Sequence, residues 1–458
     1  MKIAIVGSGY VGITTGTCLA KLGHDVCCLD LNRERITMLQ KGVLPIYEPG
    51  LDIALNEMIG SGRMHFSADT AEAVQGAHAV FIAVGTPSGA DGSIDLSQVF
   101  AAGRSIAPHL MAGTVVVMKS TVVAGTAQSM REIIARERGA FDVRVASNPE
   151  FLREGSAIKD FMEPDRIVLG ADDPYSMKVL RKIYAPFVKE QAPIVETRTI
   201  NAELIKYAAN AFLALKIGFI NEVADLCENS GGDVSDVARG IGLDTRIGAA
   251  FLQPGPGYGG SCFPKDTRAF ASTGREYGAR QHLVEALISR NDERKKHLAQ
   301  RIIREGSLNA GQRVAVLGLA FKANTDDVRE AASLSIIPHL QERGLEVAAH
   351  DPKALQTASE HLAGVSLHED AYDCCRGADA VVILTEWEEY RALDLRRLRG
   401  LMVGDHLFDY RNLLEPSAAS EAGLRLVSLG RVSAAPASRK GVAPIGSWDR
   451  RVAAPEHI

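Results

Sequence analysis

No apolar run in this 458-residue chain approaches the ~20 residues that a helical membrane span requires, so a helical membrane protein is excluded. An excess of charge of either sign is also missing. Lys and Arg number 51 against 56 Asp and Glu, a formal net charge of −5, which argues against general binding to nucleic acid or a membrane surface. One local basic pocket for a phosphate is still compatible with that balance. The seven cysteines (18, 27, 28, 227, 262, 374 and 375) include no CxxC pair and no zinc-type spacing with histidine. An odd count in a chain of this size excludes a disulfide framework and fits a reducing cytoplasm. None of the twelve histidines forms an HxxxH pair, so no metal site is expected. A secretory leader is not expected either, because Gly7-Ser8-Gly9 interrupts the short apolar start at once.

What is present is a repeated α/β pattern. The length calls for two or three domains. Short apolar runs at 2–6, 24–29, 79–84, 114–118 and 143–146 alternate with longer stretches of helical period, the mark of a parallel sheet covered on both faces. Strand signals vanish from about 200 to 305. Residues 203–229 contain no proline and one glycine, which predicts a long spine helix, and the loop 253–260, with its prolines and glycines, cannot be helical. Strand patterns then return as an echo: 313–318 parallels 2–7, 345–351 parallels 24–30, and 377–385 parallels 76–84. The expected fold is α/β, with two Rossmann-like doubly wound parallel-sheet domains (1–199 and 309–430) joined by a helical central domain (200–308). A disordered tail is expected over 431–458, which is rich in Ala, Pro, Ser and Arg without periodicity.

Gly7-x-Gly9-x-x-Gly12 follows a strand and opens a helix, where backbone N–H groups can reach a pyrophosphate. Asp30, ending the second strand, suits ribose hydroxyls and would repel a 2′-phosphate, which favours NAD. Arg33 and Arg35 stand close by, either as phosphate partners or as a solvated helix face. The sharpest feature is Gly259-Gly260-Ser261-Cys262-Phe263-Pro264-Lys265-Asp266. Its two glycines let the chain fold closely around a ligand, and a neighbouring cation such as Lys265 favours the nucleophilic thiolate. A lone loop cysteine is more often inert, and the other six cysteines read as core. Lys206 and Asn210 lie at i and i+4 and share one face of the spine helix, either as donors to an oxyanion or as an ordinary solvated face. Glu150 and Glu154 follow a strand end, as ligand-binding groups or as an acidic helix start.

The motifs Gly7–Gly12, Val84-Gly85-Thr86-Pro87, Lys119-Ser120-Thr121-Val122, residues 148–155, 201–210, 257–266 and 321–330 occur in an order that resembles the UDP-glucose/GDP-mannose dehydrogenase family over about residues 1–430. The cysteine loop is similar to that of members acting on UDP-glucose; the UDP-N-acetylmannosamine branch usually has histidine where Ser261 stands. Ile13 departs in detail, since leucine is commoner there. The resemblance implies NAD as cofactor and a four-electron oxidation of UDP-glucose to UDP-glucuronate through a thiohemiacetal and a thioester on Cys262. It implies that Lys206 and Asn210 stabilise the oxyanion and that Asp266, Thr121 and Glu150 order or activate water. Gly7, Gly9, Tyr10, Val11, Gly12, Asp30, Arg35, Thr86, Thr121, Glu154, Lys265 and Arg329 would contact NAD. The substrate would meet Glu150, Phe151, Leu152, Arg153, Glu154, Lys206, Asn210, Phe251, Leu252, Gly255, Tyr258 and Gly259, with Phe321, Lys322 and Arg411 reaching it from the second domain. Arg246 would reach it from a neighbouring subunit, which implies a homodimer or higher homo-oligomer.

Three rival readings remain at this level. One is a GDP-mannose or other nucleotide-sugar 6-dehydrogenase with the same mechanism. Another is a β-hydroxyacid or 6-phosphogluconate type of dehydrogenase, which performs one oxidation and needs no nucleophilic cysteine. The third is a non-catalytic NAD-binding protein.

Overall fold

Fourteen short strands build two sheets in a computed structural model that describes residues 1–432 except 90, 140–141 and 190–191. The expected tail at 431–458 lies almost entirely outside the described residues. The first sheet holds β1 (Lys2–Val6), β2 (Asp25–Leu29), β3 (Met64–Ser67), β4 (Ala79–Ile82), β5 (Val115–Met118), β6 (Arg144–Ser147), β7 (Ile167–Ala171) and β8 (Ile194–Thr197), in the order β3-β2-β1-β4-β5-β6-β7-β8. The second holds β9 (Arg313–Leu317), β10 (Glu346–His350), β11 (Ser366–His368), β12 (Ala380–Ile383), β13 (His406–Asp409) and β14 (Arg425–Ser428), in the order β11-β10-β9-β12-β13-β14. The first six strands of one sheet and the six of the other follow the same winding, so the echo in the sequence is a repeated Rossmann topology.

Both sheets are covered by helices on both faces, which is why their central strands read as unbroken apolar runs. Alternate residues serve opposite cores. Ile3, Ile5, Cys28, Phe81 and Val117 pack on one face of the first sheet, and Ala4, Val6, Cys27, Val80 and Val116 on the other. The six cysteines read as core are all buried.

Two features differ from the expected pattern. β7 runs antiparallel to β6, so the first sheet is not wholly parallel. β8 forms an edge with two of its four residues exposed, so it shows no apolar run to read. From β8 the chain enters the spine helix, Thr199–Ser230, 32 residues ended by Gly231 at φ 79°. At 1.5 Å per residue it is about 48 Å long. A second long helix, His282–Glu305, packs against it and leads into β9. Among the described residues no helix is long and apolar enough to cross a membrane.

Candidate active site

The fingerprint loop joins β1 to the helix Tyr10–Lys21. A Cβ at position 12 would lie 1.8 Å from the Gly7 carbonyl oxygen, so only glycine lets the loop close there; one at position 9 would meet nothing within 4 Å. The Ser8 hydroxyl is buried without a hydrogen-bond partner. An open backbone flank and an unpaired hydroxyl at a helix N-terminus fit a dinucleotide pyrophosphate. Asp30 sits at the end of β2 and accepts from the Ser8 and Asn32 N–H groups, each at 2.9 Å, and from the Arg35 guanidinium at 3.1 Å. Arg35 is therefore bound to Asp30 and is not a free cation for a 2′-phosphate.

Cys262 caps the helix Phe263–Glu276, at the end of the glycine-rich loop. On the facing spine helix, Lys206 is buried and its Nζ lies 2.9 Å from Glu150 Oε1. One turn on, the Asn210 amide donates to Asp266 Oδ2 at 2.6 Å, while Lys265 Nζ donates to Asp266 Oδ1 at 2.6 Å. Lys206 and Asn210 are thus both turned into the site. Burial opposes the charge of Lys206, but Glu150, with Cys262 and Asp266 also near, outweighs it and holds the ammonium above its ordinary range. Burial likewise opposes the Glu150 charge, and Lys206 outweighs it to hold the carboxyl low. The two form a charged pair in a dry setting.

Several expectations need correction. Lys265, the sequence neighbour of Cys262, is paired with Asp266; the cation acting on the thiol is Lys206, 56 residues away. The thiol itself is pushed up to about 11, chiefly by burial and then by Glu150, with Lys206 opposing. Without ligands, then, Cys262 is held as a thiol. Asp266 is buried and accepts from both Asn210 and Lys265. Glu150 and Glu154 start no helix, because both lie in the loop between β6 and the helix Ala157–Met162. The two glycines before Cys262 make room for the second domain: a Cβ at Gly259 would meet the Glu330 carbonyl at 2.5 Å, and one at Gly260 would meet the Phe321 ring at 2.7 Å.

A cavity of about 740 Å³ opens in front of Cys262, lined by Glu150, Phe151, Leu152, Arg153, Lys206, Asn210 and Phe251 among others. Phe251 holds a left-handed φ of 64°, and its ring lies 6.0 Å from that of Phe263. Arg153 is ion-paired with Asp160 at 2.6 Å. Leu252 and Tyr258 are core residues that support the loop, with Leu252 packed against Ile220 and Ala224 and Tyr258 against Ala214 and Leu287. On the second domain, Arg411 donates to the Phe321 and Leu384 carbonyls at 2.9 and 2.7 Å and faces Gly255. Lys322 is kept below its usual range by burial. Glu154 accepts from Ser261 Oγ at 2.8 Å and stands 3.7 Å from Arg329; burial, then Asp327, raises it to about 7. Thr121 lines a small recess behind Lys206, shared with Ser120 and Glu203. Thr86, in the loop after β4, is half-buried.

Arg246 is not among the cavity-lining residues. It is exposed and paired with Asp244 at 2.6 Å. Two residues near the site escaped the sequence reading. Arg166, at the foot of β7, stacks its guanidinium 3.5 Å from the centre of the Phe151 ring. Glu48 is buried under the loop after β6. Neither belongs to a motif with a chemical signature, so periodicity could not mark them. Among the described residues no cluster of His, Cys, Asp and Glu is suited to holding a metal ion.

Three profiles match the chain in sequence order. The NAD binding domain of the UDP-glucose/GDP-mannose dehydrogenase family matches residues 1–188, its central domain 200–293 and its UDP binding domain 315–416. The chain belongs to this family. The dehydrogenase is 48% identical over 94% of its length to the whole of a UDP-glucose 6-dehydrogenase of Rhizobium meliloti. Among solved structures it is similar to a UDP-glucose dehydrogenase of Pyrobaculum islandicum, with 41% identity, a TM-score of 0.85, and coverage of 90% of this chain and 94% of that one. It is also similar to a UDP-D-ManNAc dehydrogenase of Pyrococcus horikoshii, with 27% identity, a TM-score of 0.83, and coverage of 94% and 99%. The protein is therefore an NAD-dependent dehydrogenase of the family fold. Its cofactor choice gives one expected result. Wild type should favour NAD over NADP by about 10²-fold or more in kcat/KM, since like charges at Asp30 cost several kcal/mol. Asp30→Ala should lose most of that preference, because Arg35 is released. Equal use of both cofactors by wild type would remove the assignment.

Proposed function

We propose that this dehydrogenase oxidises UDP-glucose at C6 to UDP-glucuronate, holding the sugar on Cys262 between two hydride transfers. The observation that carries this is a thiol that lines the same cavity as a buried lysine, Lys206, and Asn210, with Lys206 close enough to act on it. A dehydrogenase that stops at one oxidation needs no such thiol. The higher identity to UDP-glucose dehydrogenases than to the UDP-D-ManNAc enzyme, with Ser261 before the cysteine, supports glucose as the sugar.

The C6 alcohol loses a hydride and a proton to become an aldehyde. Cys262 Sγ adds to that carbon, its proton ending on the oxygen of the thiohemiacetal. Loss of a second hydride and the hydroxyl proton leaves a thioester, and water cleaves the C–S bond to release carboxylate and thiol. In sum, one UDP-glucose, two NAD and one water give UDP-glucuronate, two NADH and three protons. Bound NAD supplies acceptance of the hydride from C6; Gly9, Ser8 and Asp30 would hold it. Lys206 and the second N–H of Asn210 would donate to the C6 oxygen while it carries negative charge. Glu150 would take the proton of the attacking water. Phe151, Leu152 and Phe251 would wall the sugar, and Lys322 and Arg411 would reach the nucleotide. The units 1–199, 200–308 and 309–430 belong to the same proposal, supported by the order of sheets and helices. So does a reducing cytoplasm, supported by seven free cysteines.

The working unit is at least a dimer. Phe212, Phe219 and Leu226 recur every seven residues along the spine helix and are 64%, 56% and 66% exposed, an apolar stripe suited to a second copy. A partner's copy of the exposed Arg246 would then enter the cavity. Mixed oligomers of Arg246→Ala and Cys262→Ser subunits should recover up to about a quarter of wild-type activity, since random pairing assembles one intact site in half the dimers. Full activity from a monomer would remove the subunit exchange. For the reaction itself, NADH formed per sugar nucleotide consumed should be two for UDP-glucose. A value of one, or a larger kcat/KM with GDP-mannose, would overturn the reading.

A further inference from the structure

Glu48 lies between the second and third helices of the chain, well outside the fingerprint, yet it is 4% exposed. Its carboxylate accepts three hydrogen bonds. Oε2 takes the Tyr10 hydroxyl at 2.5 Å and the Gly155 N–H at 2.6 Å, and Oε1 takes the Ala157 N–H at 2.8 Å. A carboxylate can only accept, and charged acceptors make the stronger hydrogen bonds, so this group is a rigid junction. One arm is Tyr10, the first residue of the helix whose N-terminus faces the pyrophosphate position. The other arm is the loop that carries Glu150, Phe151, Leu152 and Glu154. The Tyr10 hydroxyl also reaches the Arg153 carbonyl at 3.5 Å. The far side of that loop presses on the second domain, where a Cβ at Gly155 would meet the Asn324 carbonyl at 2.8 Å.

We propose that Glu48 is a positioning residue that joins the dinucleotide loop to the sugar-nucleotide loop, so that each ligand tightens the binding of the other. This rests on the assignment of UDP-glucose as substrate. Any shift of residues 150–157 around a sugar nucleotide moves the Gly155 and Ala157 N–H groups, and through one carboxylate it moves Tyr10. Coupling of this kind is reciprocal by thermodynamic necessity.

The test is calorimetric titration of the full chain with UDP-glucose, alone and with saturating NADH, which permits no turnover. Wild type should bind UDP-glucose about fivefold or more tightly when NADH is present, and NADH should gain the same factor from UDP-glucose. Glu48→Gln is isosteric but turns an NH₂ toward backbone donors, so the factor should fall below about twofold while each separate affinity changes less than about threefold. Tyr10→Phe cuts one arm and should lower the factor as well, and the double variant should add nothing to Glu48→Gln. Tyr10→Phe also serves if Glu48→Gln does not fold. A purely structural role would weaken both separate affinities and keep the wild-type factor, which would overturn the proposal. Wild type that binds UDP-glucose without coupling would overturn it alone; wild type that binds none would overturn the substrate assignment too.

Discussion

Cys262→Ala should lose net formation of the acid by about 10⁴-fold or more, because removing the proposed covalent nucleophile would leave only the binding and oxyanion contributions. The variant keeps Lys206, Asn210 and Glu150, so UDP-glucose and NAD should still bind, and added aldehyde should be oxidised slowly at most. Cys262→Ser supplies an oxygen of similar size whose ester hydrolyses more slowly than a thioester, so a sugar adduct should accumulate and be seen by intact-protein mass spectrometry. The wild-type thiol has its own signature. Pushed up to about 11 by burial and Glu150, it should react with iodoacetamide at pH 7.5 about two orders of magnitude more slowly than a free thiol of pKa ~8.5, gaining about tenfold per pH unit until the fold fails. Two NADH per UDP-glucose from Cys262→Ala at near wild-type rate would end the covalent mechanism.

The second large effect is expected at Lys206. Lys206→Met removes the cation proposed to face the reacting oxygen, and kcat should fall by about 10²–10³-fold. It also leaves Glu150 buried without its ion-pair partner 2.9 Å away, which costs about 3–5 kcal/mol when one member of such a pair is removed. The pH dependence follows from the sign of the Glu150 shift. In wild type Lys206 holds the carboxyl low, so this pair stabilises the fold above the ordinary carboxylate pKa and that contribution is lost as pH falls. In Lys206→Met burial, the largest influence on this carboxyl, is opposed only by the Leu152 N–H and by Lys119 and should raise it, so that stability would be present at low pH and lost as pH rises. The gap in Tm between the two proteins should therefore be wide at pH 8 and narrow toward pH 5. Lys206→Met with Glu150→Gln should recover the stability and not the rate. A pH-independent gap would contradict the buried pair.

Features whose cause is local were legible in the sequence. Gly7, Gly9, Gly12 and Asp30 are set by one turn and one strand end, and the spine helix by a long stretch without proline. Choices of partner across the fold were not. Lys265 looked like the cation for Cys262 because it is three residues away, but Asp266 takes it, and the ion acting on the thiol comes from another helix. Leu252 and Tyr258 are implied as substrate contacts by the resemblance of their loop, and their side chains pack against the spine helix and its neighbours, which local sequence does not show. The turn of the chain at β7 escaped because strand direction leaves no periodic trace. Glu48 escaped because a junction made with backbone N–H groups has no motif.

The repeated winding of the two sheets has one further consequence. In the second sheet the residue corresponding to Asp30 is Asp351, 1% exposed, whose Oδ2 accepts from the Leu319 and Ala320 N–H groups at 2.8 and 3.0 Å and from the Trp387 indole at 3.2 Å. Its Oδ1 accepts from the Lys353 and Ala354 N–H groups, so both oxygens are spent on the chain's own donors, whereas the Asp30 side chain is 12% exposed; under the proposed mechanism one cofactor berth would serve both oxidations in turn. A half-oxidised sugar would then wait while one spent carrier leaves and a fresh one docks, and a free aldehyde could drift away in that interval. The proposed anchor to sulphur would be as much a mooring during the exchange as a step in the chemistry.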